Sequence, residues 1–302
     1  MKSQELIFSV IDAQKAEIEK TPEGLSRELL NDIPVVENFA SIITGIRRCG
    51  KSTLKVQVLK KQENSGLFLS FDEIQIVDKW ELFINQKLKE GYRVFITGSN
   101  ASLLSRELGT HLTGRHLSTE LFPFSCTEFL TFGKLANTVV SFDEYLQTGR
   151  MPEYEKKRVG VILQQLMDDI LYRDIAVRHN IRNVDALREL TVFLISNIGK
   201  PLSARRLTGL FGITATATII DFFAYLQNSY VVDFVPIFDY SVKTQIRNPK
   251  KVYAIDRGIY HQIKTTFTNY HGRQLENAVY LHLRRKYKEI FRDLKAHSTF
   301  LK

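Results

Sequence analysis

The sequence predicts an α/β fold, in which a parallel sheet is followed by a helical region and a winged-helix-like module. Three observations predict it. A glycine-bracketed loop at 45–53 lies between an apolar strand and a helix. A second apolar strand ends in two acidic residues at 72–73. From Ser203 onward the pattern changes to helix, glycine turn, helix and strand, which indicates a separate module.

The loop reads GIRRCGKST and matches the phosphate-binding pattern GxxxxGK(S/T). Its two glycines allow a tight turn that aims backbone N–H groups inward, and the following helix adds the positive end of its dipole. Lys51 can reach the outer phosphates, and Ser52 can ligate Mg²⁺. The pattern predicts a P-loop NTPase core that binds ATP and Mg²⁺ through Gly45, Ile46, Arg47, Arg48, Cys49, Gly50, Lys51, Ser52 and Thr53.

The strand GLFLSFDEIQ ends in Asp72 and Glu73. Ligands of open α/β sheets gather at the carboxyl ends of the strands, so these carboxylates are expected beside the loop. There an aspartate holds the Mg²⁺ shell and a glutamate polarises the attacking water. We therefore predict Asp72 as a metal ligand with Ser52, and Glu73 as the catalytic base.

The next strand, YRVFIT, leads into GSN, and a small polar residue at such a strand tip can sense the γ-phosphate. Ser99 and Asn100 are the candidates, although a plain strand-to-helix turn fits them equally well. Arg115, between Gly114 and His116, is a candidate arginine finger. The alternative for Arg115 is an ordinary surface arginine.

The bulk composition is that of a soluble globular protein, with 44% hydrophobic and 25% charged residues in 302. No apolar run reaches the roughly 20 residues of a membrane helix, and no export signal is expected at the N-terminus. The two cysteines, Cys49 and Cys126, fit neither a metal site nor a disulfide framework, which favours a cytoplasmic protein. The net charge of +9 leaves nucleic acid open as a partner.

Hydrophobic periodicity and glycine or proline breaks divide the chain into five predicted regions. Helices are expected at 2–20, 24–30, 52–61, 79–90, 102–109, 142–147 and over most of 155–195. The last dozen residues have no clear pattern. The predicted regions are N-terminal helices (1–34), the ATPase core (35–135), a helical region (136–195), the winged-helix-like module (196–260) and a truncated C-terminal region (261–302).

The second helix of the helix-turn-helix, 214–227, carries no lysine or arginine. A helix that reads base edges needs Arg, Lys, Asn or Gln on its exposed face. The basic residues lie instead on the first helix, at Arg205 and Arg206, and in the segment 243–251. This distribution favours a packing module over a sequence reader, and leaves non-specific contacts to a nucleic-acid backbone open.

Taken together, these motifs resemble the prokaryotic AAA+-type ATPases that carry a winged helix and a C-terminal domain of unknown function. The resemblance spans roughly 35–286 and rests on ITGIRRCGKST, FDEIQIVDKW, VFITGSNASLLSRELGTHLTGRH, LFPFSCTEFL, the turn at 149–152, YRDIAVRHNIRN, RNPKKVYAID and RQLENAVYLHLRRK. It implies ATP binding and ATPase activity through Lys51, Ser52, Asp72 and Glu73. It also nominates Pro152 as a contact to the nucleotide base, although Arg150 stands where many relatives have glycine.

Two features depart from this family. Asp72 follows Lys51 by only 21 positions, where relatives fit a further strand and helix. The absent strand would be an edge, so a smaller sheet with a newly exposed edge is expected. The C-terminal nuclease-like module of relatives is also expected to be missing. Three alternatives to an ATPase stay open. The short interval fits a nucleotide-binding switch, and an incomplete sheet fits a non-functional remnant. The winged-helix pattern and the net charge of +9 fit a DNA-binding regulator. An arginine finger supplied in trans would require a homo-oligomer.

Overall fold

The computed structural model describes residue 16 and the ranges 18–62, 68–74, 77–101, 114–256, 258–261, 271–293 and 299–301. Its contacts divide the chain into two compact units. The first unit comprises Met1–Ile43, Gly50–Gly98 and Glu107–Thr119, and the second comprises Thr44–Cys49, Ser99–Arg106 and Glu120–Lys302. Most of the helix predicted at 2–20, and all of the helix predicted at 102–109, lie outside the described residues.

A four-stranded sheet with the order β2-β3-β1-β4 forms the first unit. The elements are β1 (Ala40–Thr44), α1 (Lys51–Lys61), β2 (Phe68–Asp72), α2 (Trp80–Lys89), β3 (Arg93–Gly98) and β4 (His116–Glu120). β2 runs parallel to β3, with Asp72 opposite Thr97. All five residues of β1 are buried, as expected for a strand covered on both faces. The predicted α/β class with a parallel sheet is confirmed.

The strand order places β2 at one edge of this sheet, as far as the described residues extend. Its first four residues are half-buried, whereas β1 in the interior is fully buried. A smaller sheet with β2 at its edge agrees with the expectation drawn from the short interval between Lys51 and Asp72.

The apolar residues of the helix predicted at 79–90 place Trp80, Phe83, Ile84 and Leu88 on one face, and α2 buries most of that face. In α2, Trp80, Ile84 and Leu88 recur every four residues and are buried, but Phe83, predicted on the same face, is exposed. Phe83 lies one position before Ile84, which turns it about 100° away from that stripe. In α1, the buried Gln57 amide donates to the carbonyls of Glu23 and Leu25 at 2.6 and 2.7 Å.

The second unit is mainly helical. Its helices are α3 (Cys126–Gly133), α4 (Val139–Thr148), α5 (Pro152–Lys157), α6 (Val161–Asp168) with a π-helical continuation (Asp169–Val177), α7 (Val184–Ser196), α8 (Ala204–Leu207), α9 (Thr216–Asn228), α10 (Val242–Arg247), α11 (Gly258–His261) and α12 (His271–Lys286). Helix starts follow local chemistry: Ser125 and Glu128 form a capping box for α3, and Pro152 occupies the first turn of α5.

A small antiparallel sheet in this unit has the order β5-β7-β6, with β5 (Pro201–Leu202), β6 (Val232–Val235) and β7 (Lys250–Ala254). Helices α8 and α9 precede β6, and α10 lies between β6 and β7. Helix α12 is fastened to β7 because the Asn277 amide donates to the Ala254 carbonyl at 3.0 Å and accepts from its N–H at 2.9 Å. The rings of Tyr253 and Tyr280 stack 4.1 Å apart.

The C-terminal segment differs from expectation. It forms an antiparallel pair, β8 (Ile290–Arg292) and β9 (Thr299–Leu301), where no pattern was predicted. Strands of three residues are too short to produce a readable alternation. The N–H of Arg292 donates to the carbonyl of Pro236 at 2.9 Å, which joins β8 to the segment after β6.

Among the helices that the structure describes, none combines the length and the apolar content required to cross a lipid bilayer.

Candidate functional site

Two adjacent strand ends and the start of α1 bring three oxygen-bearing side chains together in the first unit. The Ser52 hydroxyl lies 3.3 Å from Asp72 Oδ2. The Thr97 hydroxyl donates to the other oxygen, Asp72 Oδ1. Thr97 is fully buried at the end of β3, so it holds the carboxylate in one orientation while the Ser52 side remains exposed.

Lys51 and Glu73 flank this group in the chain. Lys51 is the first residue of α1 and is only 7% exposed. Glu73 follows Asp72 directly and has a left-handed backbone, with φ of 49°, while its N–H donates to the Thr97 carbonyl at 2.9 Å. A left-handed glutamate is uncommon, and such strained residues cluster at functional sites. Asp72 therefore ends the extended strand β2, and the chain turns at Glu73.

Hydroxyl and carboxylate oxygens are the ligands that Mg²⁺ prefers, and Mg²⁺ is usually held by one or two protein carboxylates together with waters and phosphates. Ser52 and Asp72 supply such a donor pair. Within the described part of the chain, no group of three or more His, Cys, Asp and Glu could hold a metal by itself. The donor set therefore fits an ion shared with a phosphate ligand and does not fit an all-protein metal cage.

The first half of the loop, 44–49, belongs to the second unit and is packed against Leu121. The Leu121 N–H donates to the Thr44 carbonyl at 2.8 Å, and the Cys49 thiol lies 3.4 Å from the Leu121 carbonyl oxygen. A Cβ atom on Gly45 would lie 2.1 Å from that same oxygen. Only glycine fits this position. Ile46 and Cys49 are buried.

The two loop arginines point to acidic residues of the second unit. Arg47 Nη1 lies 3.3 Å from Asp174 Oδ1. Arg48 Nη1 lies 3.2 Å from Glu153 Oε2, and its Nη2 lies 3.6 Å from Asp169 Oδ2. Both arginine side chains are therefore paired with carboxylates.

The remaining predicted site residues differ in how far they are buried. Ser99 and Asn100 are buried after β3, at 6% and 2% exposure, while Arg115 is exposed before β4. Thr53 is half-buried in the first turn of α1, and Pro152 is half-buried at the start of α5.

Beside Pro152, the turn 149–151 is tightly packed within the second unit. The Arg150 side chain is 1% exposed and lies over the Tyr145 ring at 4.6 Å, and its backbone N–H donates to Asp256 at 2.6 Å. The Arg150 backbone therefore ties the turn to Asp256, and its side chain packs on Tyr145, at a position where many relatives have glycine.

Helix α5 also carries a buried carboxyl group, Glu155, whose side chain is 1% exposed and whose Oε2 lies 2.7 Å from Arg158. Burial raises the pKa of Glu155 to about 7; the nearby Arg158 opposes this, and Glu144 and Asp256 add to it. In the unfolded chain this carboxyl returns to its ordinary, lower pKa. Between the two pKa values the folded protein holds a proton that the unfolded chain has released.

The free energy of unfolding is therefore expected to fall as pH rises from about 4.5 to about 7. Glu155→Gln should flatten this fall by an amount on the order of 2 kcal/mol, measured by chemical denaturation at pH 5 and pH 8. Glu120, whose pKa burial also raises to about 7, should keep a residual slope in the variant. An unchanged slope in Glu155→Gln would contradict this assignment.

Sequence reasoning missed several residues of this site. Thr97 ends a strand that the sequence predicts, and a hydroxyl opposite the acidic strand end was the available signal. Leu121 contacts the loop through its backbone, so its residue type gives no signal of this role. Asp174, Glu153 and Asp169 pair with arginines more than 100 positions earlier, so no local pattern could connect them.

Comparison with known protein families bears on this geometry. The model of the family described as "AAA domain" matches residues 57–130. A family described as "Domain of unknown function (DUF8612)" matches residues 140–270. The first match begins after the loop and includes Asp72, Glu73, Ser99, Asn100 and Arg115. The first match supports an ATP-binding protein of the AAA type.

Two relatives align along most of the chain. The uncharacterized protein MJ1544 of Methanocaldococcus jannaschii is 28% identical over 337 aligned positions, which cover 95% of this chain and 75% of the relative. An uncharacterized protein of Haemophilus influenzae is 27% identical over 303 positions, which cover 82% and 75%. Because 337 positions exceed the 302 residues of this chain, the first relative contains insertions with respect to it.

Two solved structures are distantly similar. AMPPCP-bound DnaA from Aquifex aeolicus has a TM-score of 0.29 and 14% identity, covering 60% of this chain and 70% of DnaA. The Aeropyrum pernix ORC1 protein in complex with DNA has a TM-score of 0.24 and 11% identity, covering 89% and 94%. At these TM-scores the likeness carries no inference about ligands or partners.

Proposed function

We propose that the protein binds Mg·ATP on the loop 45–53 and hydrolyses it as an AAA+-type ATPase. The observation that carries the proposal is that the hydroxyl of Ser52, a member of the complete phosphate-binding motif, lies 3.3 Å from the Asp72 carboxylate. In this assignment Lys51 contacts the β- and γ-phosphates, and the backbone N–H groups of the loop surround them. Ser52 and Asp72 hold Mg²⁺ directly or through water.

Bound Mg²⁺ would neutralise phosphate charge as it develops during phosphoryl transfer. The other roles belong to side chains. Glu73 orients and deprotonates the attacking water, and Thr97 keeps the Asp72 carboxylate turned toward Ser52. Ser99 or Asn100 senses the γ-phosphate at the end of β3. Arg115 is exposed, which is compatible with a finger offered to a second copy of the chain, and Pro152 is assigned to the nucleotide base.

Nucleotide state would be coupled to a winged-helix module formed by α7–α9 and β5–β7. The order β5-β7-β6, with a helix-turn-helix before β6, matches that connectivity and supports the assignment. A buried hydrogen bond joins the side chains of Tyr230 and Thr44. Thr44 directly precedes the loop, and Tyr230 lies two positions before β6. Movement of the loop would therefore reach the module through this pair.

Hydrolysis is distinguished from a nucleotide-binding switch by Glu73→Gln. Without the carboxylate no general base is available, so steady-state phosphate release is expected to fall by about 10²- to 10⁴-fold. ATP affinity should remain within about threefold, because glutamine keeps the size of the side chain. The matched control is Glu81→Gln, in the first turn of α2.

A switch would give negligible Mg²⁺-dependent phosphate release in both the unmodified protein and the variant. A remnant without function would show no shift of its unfolding transition on addition of Mg·ATP.

DNA binding is a second candidate function. Arg205 and Arg206 are both exposed on α8, and Lys243 and Arg247 are exposed on α10. The exposed face of α9 has no basic residue, which favours contacts to phosphates over base reading. Titration with duplex DNA decides this: binding that weakens steeply with salt supports it, and no binding at low ionic strength removes it.

A further inference from the structure

Three carboxylates pair with the two arginines of the phosphate-binding loop. Arg47 Nη1 is within 3.3 and 3.4 Å of both oxygens of Asp174. Arg48 reaches Glu153 with one terminal nitrogen and Asp169 with the other. The Asp174 side chain is only 10% exposed and that of Arg47 is 24% exposed, so water screens this pair less than an open surface pair.

The π-helical segment explains how two of these carboxylates reach one loop. Asp169 and Asp174 are five positions apart. In an α-helix, residues five apart diverge by about 140° around the axis. A π-helix bonds residue i to i+5, so residues five apart lie near the same face. The wide turn thus presents Asp169 to Arg48 and Asp174 to Arg47.

The loop has a conformation that needs such support. Gly45, Arg48 and Gly50 all have positive φ, of 140°, 62° and 99°. For Arg48, which is not a glycine, this conformation costs about 1–2 kcal/mol. The backbone N–H groups of the loop must also converge on one point before a phosphate is bound there. The backbone of Leu121 contacts the loop, and the carboxylates pair with its two arginines.

The charges favour positioning over direct phosphate binding by the arginines. The two guanidinium groups face three carboxylates, and Lys157 also lies 3.3 Å from Glu153, so these charges sum to zero and the arginines are already neutralised before a phosphate arrives. A phosphate near Arg47 would have to compete with Asp174 and approach its charge. The backbone N–H groups of the loop face no such competition.

We propose that Asp174, Asp169 and Glu153 are positioning residues that hold the phosphate-binding loop ready for ATP by pairing with Arg47 and Arg48. The inference rests on the proposed function, since it assigns a role within the same ATP site. It makes the π-helical segment and α5 the elements to which nucleotide occupancy is transmitted first. Neither arginine contacts phosphate in this arrangement.

Asp174→Asn tests the proposal by removing one negative charge without changing the size of the side chain. We expect the Kd for Mg·ATP, measured by calorimetry, to rise by about fivefold. The matched control is Asp168→Asn, because Asp168 pairs with Arg188 at 2.5 Å one position before the π-helical segment. The control should bind ATP like the unmodified protein. Thermal unfolding without nucleotide checks that both variants fold.

A charge exchange separates positioning from direct binding. Arg47→Asp should weaken ATP binding, and the double variant Arg47→Asp with Asp174→Arg should recover at least half of the lost binding free energy. If Arg47 instead bound phosphate directly, Asp174→Asn would release its guanidinium and tighten ATP binding. Tighter ATP binding in Asp174→Asn, or no recovery in the double variant, would overturn the proposal.

Failure of the ATP site itself gives a different result. If the unmodified protein does not bind ATP, or binds it equally well after Lys51→Ala, the proposed function is wrong and this inference falls with it. If Lys51→Ala loses ATP while Asp174→Asn binds normally, the positioning role alone is wrong.

Discussion

Lys51→Ala is expected to weaken Mg·ATP binding by about 10- to 100-fold. The side chain at this position is the cation that the motif directs at the β- and γ-phosphates, and alanine leaves those charges to the backbone amides alone. Lys51 is nearly buried at the first position of α1, so no other lysine of the helix can replace it from the same place. The measurement is an equilibrium titration of each variant with ATP in Mg²⁺.

The control for this substitution is Lys55→Ala, one turn further along α1. It removes the same charge from the same helix and should leave ATP affinity within about twofold. Equal losses in both variants would point to general electrostatic attraction of ATP and would contradict a specific phosphate contact by Lys51.

Among substitutions that add a single methyl group to the loop, Gly45→Ala is expected to be the most damaging. The added Cβ would lie 2.1 Å from the Leu121 carbonyl oxygen, and the backbone has φ of 140°, which side-chain-bearing residues rarely adopt. Because the obstacle is a backbone carbonyl, which cannot turn away as a flexible side chain could, the loop itself must move to relieve the contact. We expect the free energy of unfolding to fall by about 2–5 kcal/mol, and ATP binding to be lost.

Gly91→Ala is the matched control, because Gly91 also has a positive φ, of 85°, but nothing lies within 4 Å of its added Cβ. It should cost about 1–2 kcal/mol from backbone strain alone and retain ATP binding. A Gly45→Ala variant as stable as Gly91→Ala would contradict the close approach of the loop to Leu121.

The sequence predicts the first unit well because its elements carry strong local signals. β1 is a run of apolar residues that ends at a glycine, and α2 has an apolar stripe with a four-residue spacing. Gly50 and Gly91 lie beside helix ends, where left-handed backbone is needed. The short interval between Lys51 and Asp72 also predicts a smaller sheet with a newly exposed edge, and β2 lies at an edge in the strand order.

Contacts between distant parts of the chain could not be predicted in the same way. The loop arginines suit phosphate as well as carboxylate in isolation, and only the fold brings Asp174 to Arg47. The π-helical turn could not be predicted either, because its apolar pattern is also that of an α-helix. Phe83 shows the limit of a stripe argument, since one residue at its margin can turn outward.

The most direct test of the ATP site is the Mg²⁺ dependence of ATP binding by the unmodified protein. Ser52 and Asp72 are assigned to an ion that is shared with the phosphates, so a calorimetric titration should find one site per chain and tighter binding in Mg²⁺ than in EDTA. That dependence should disappear in Asp72→Asn. An ATP affinity that is equal with and without Mg²⁺, or the absence of any saturable site, would contradict the account.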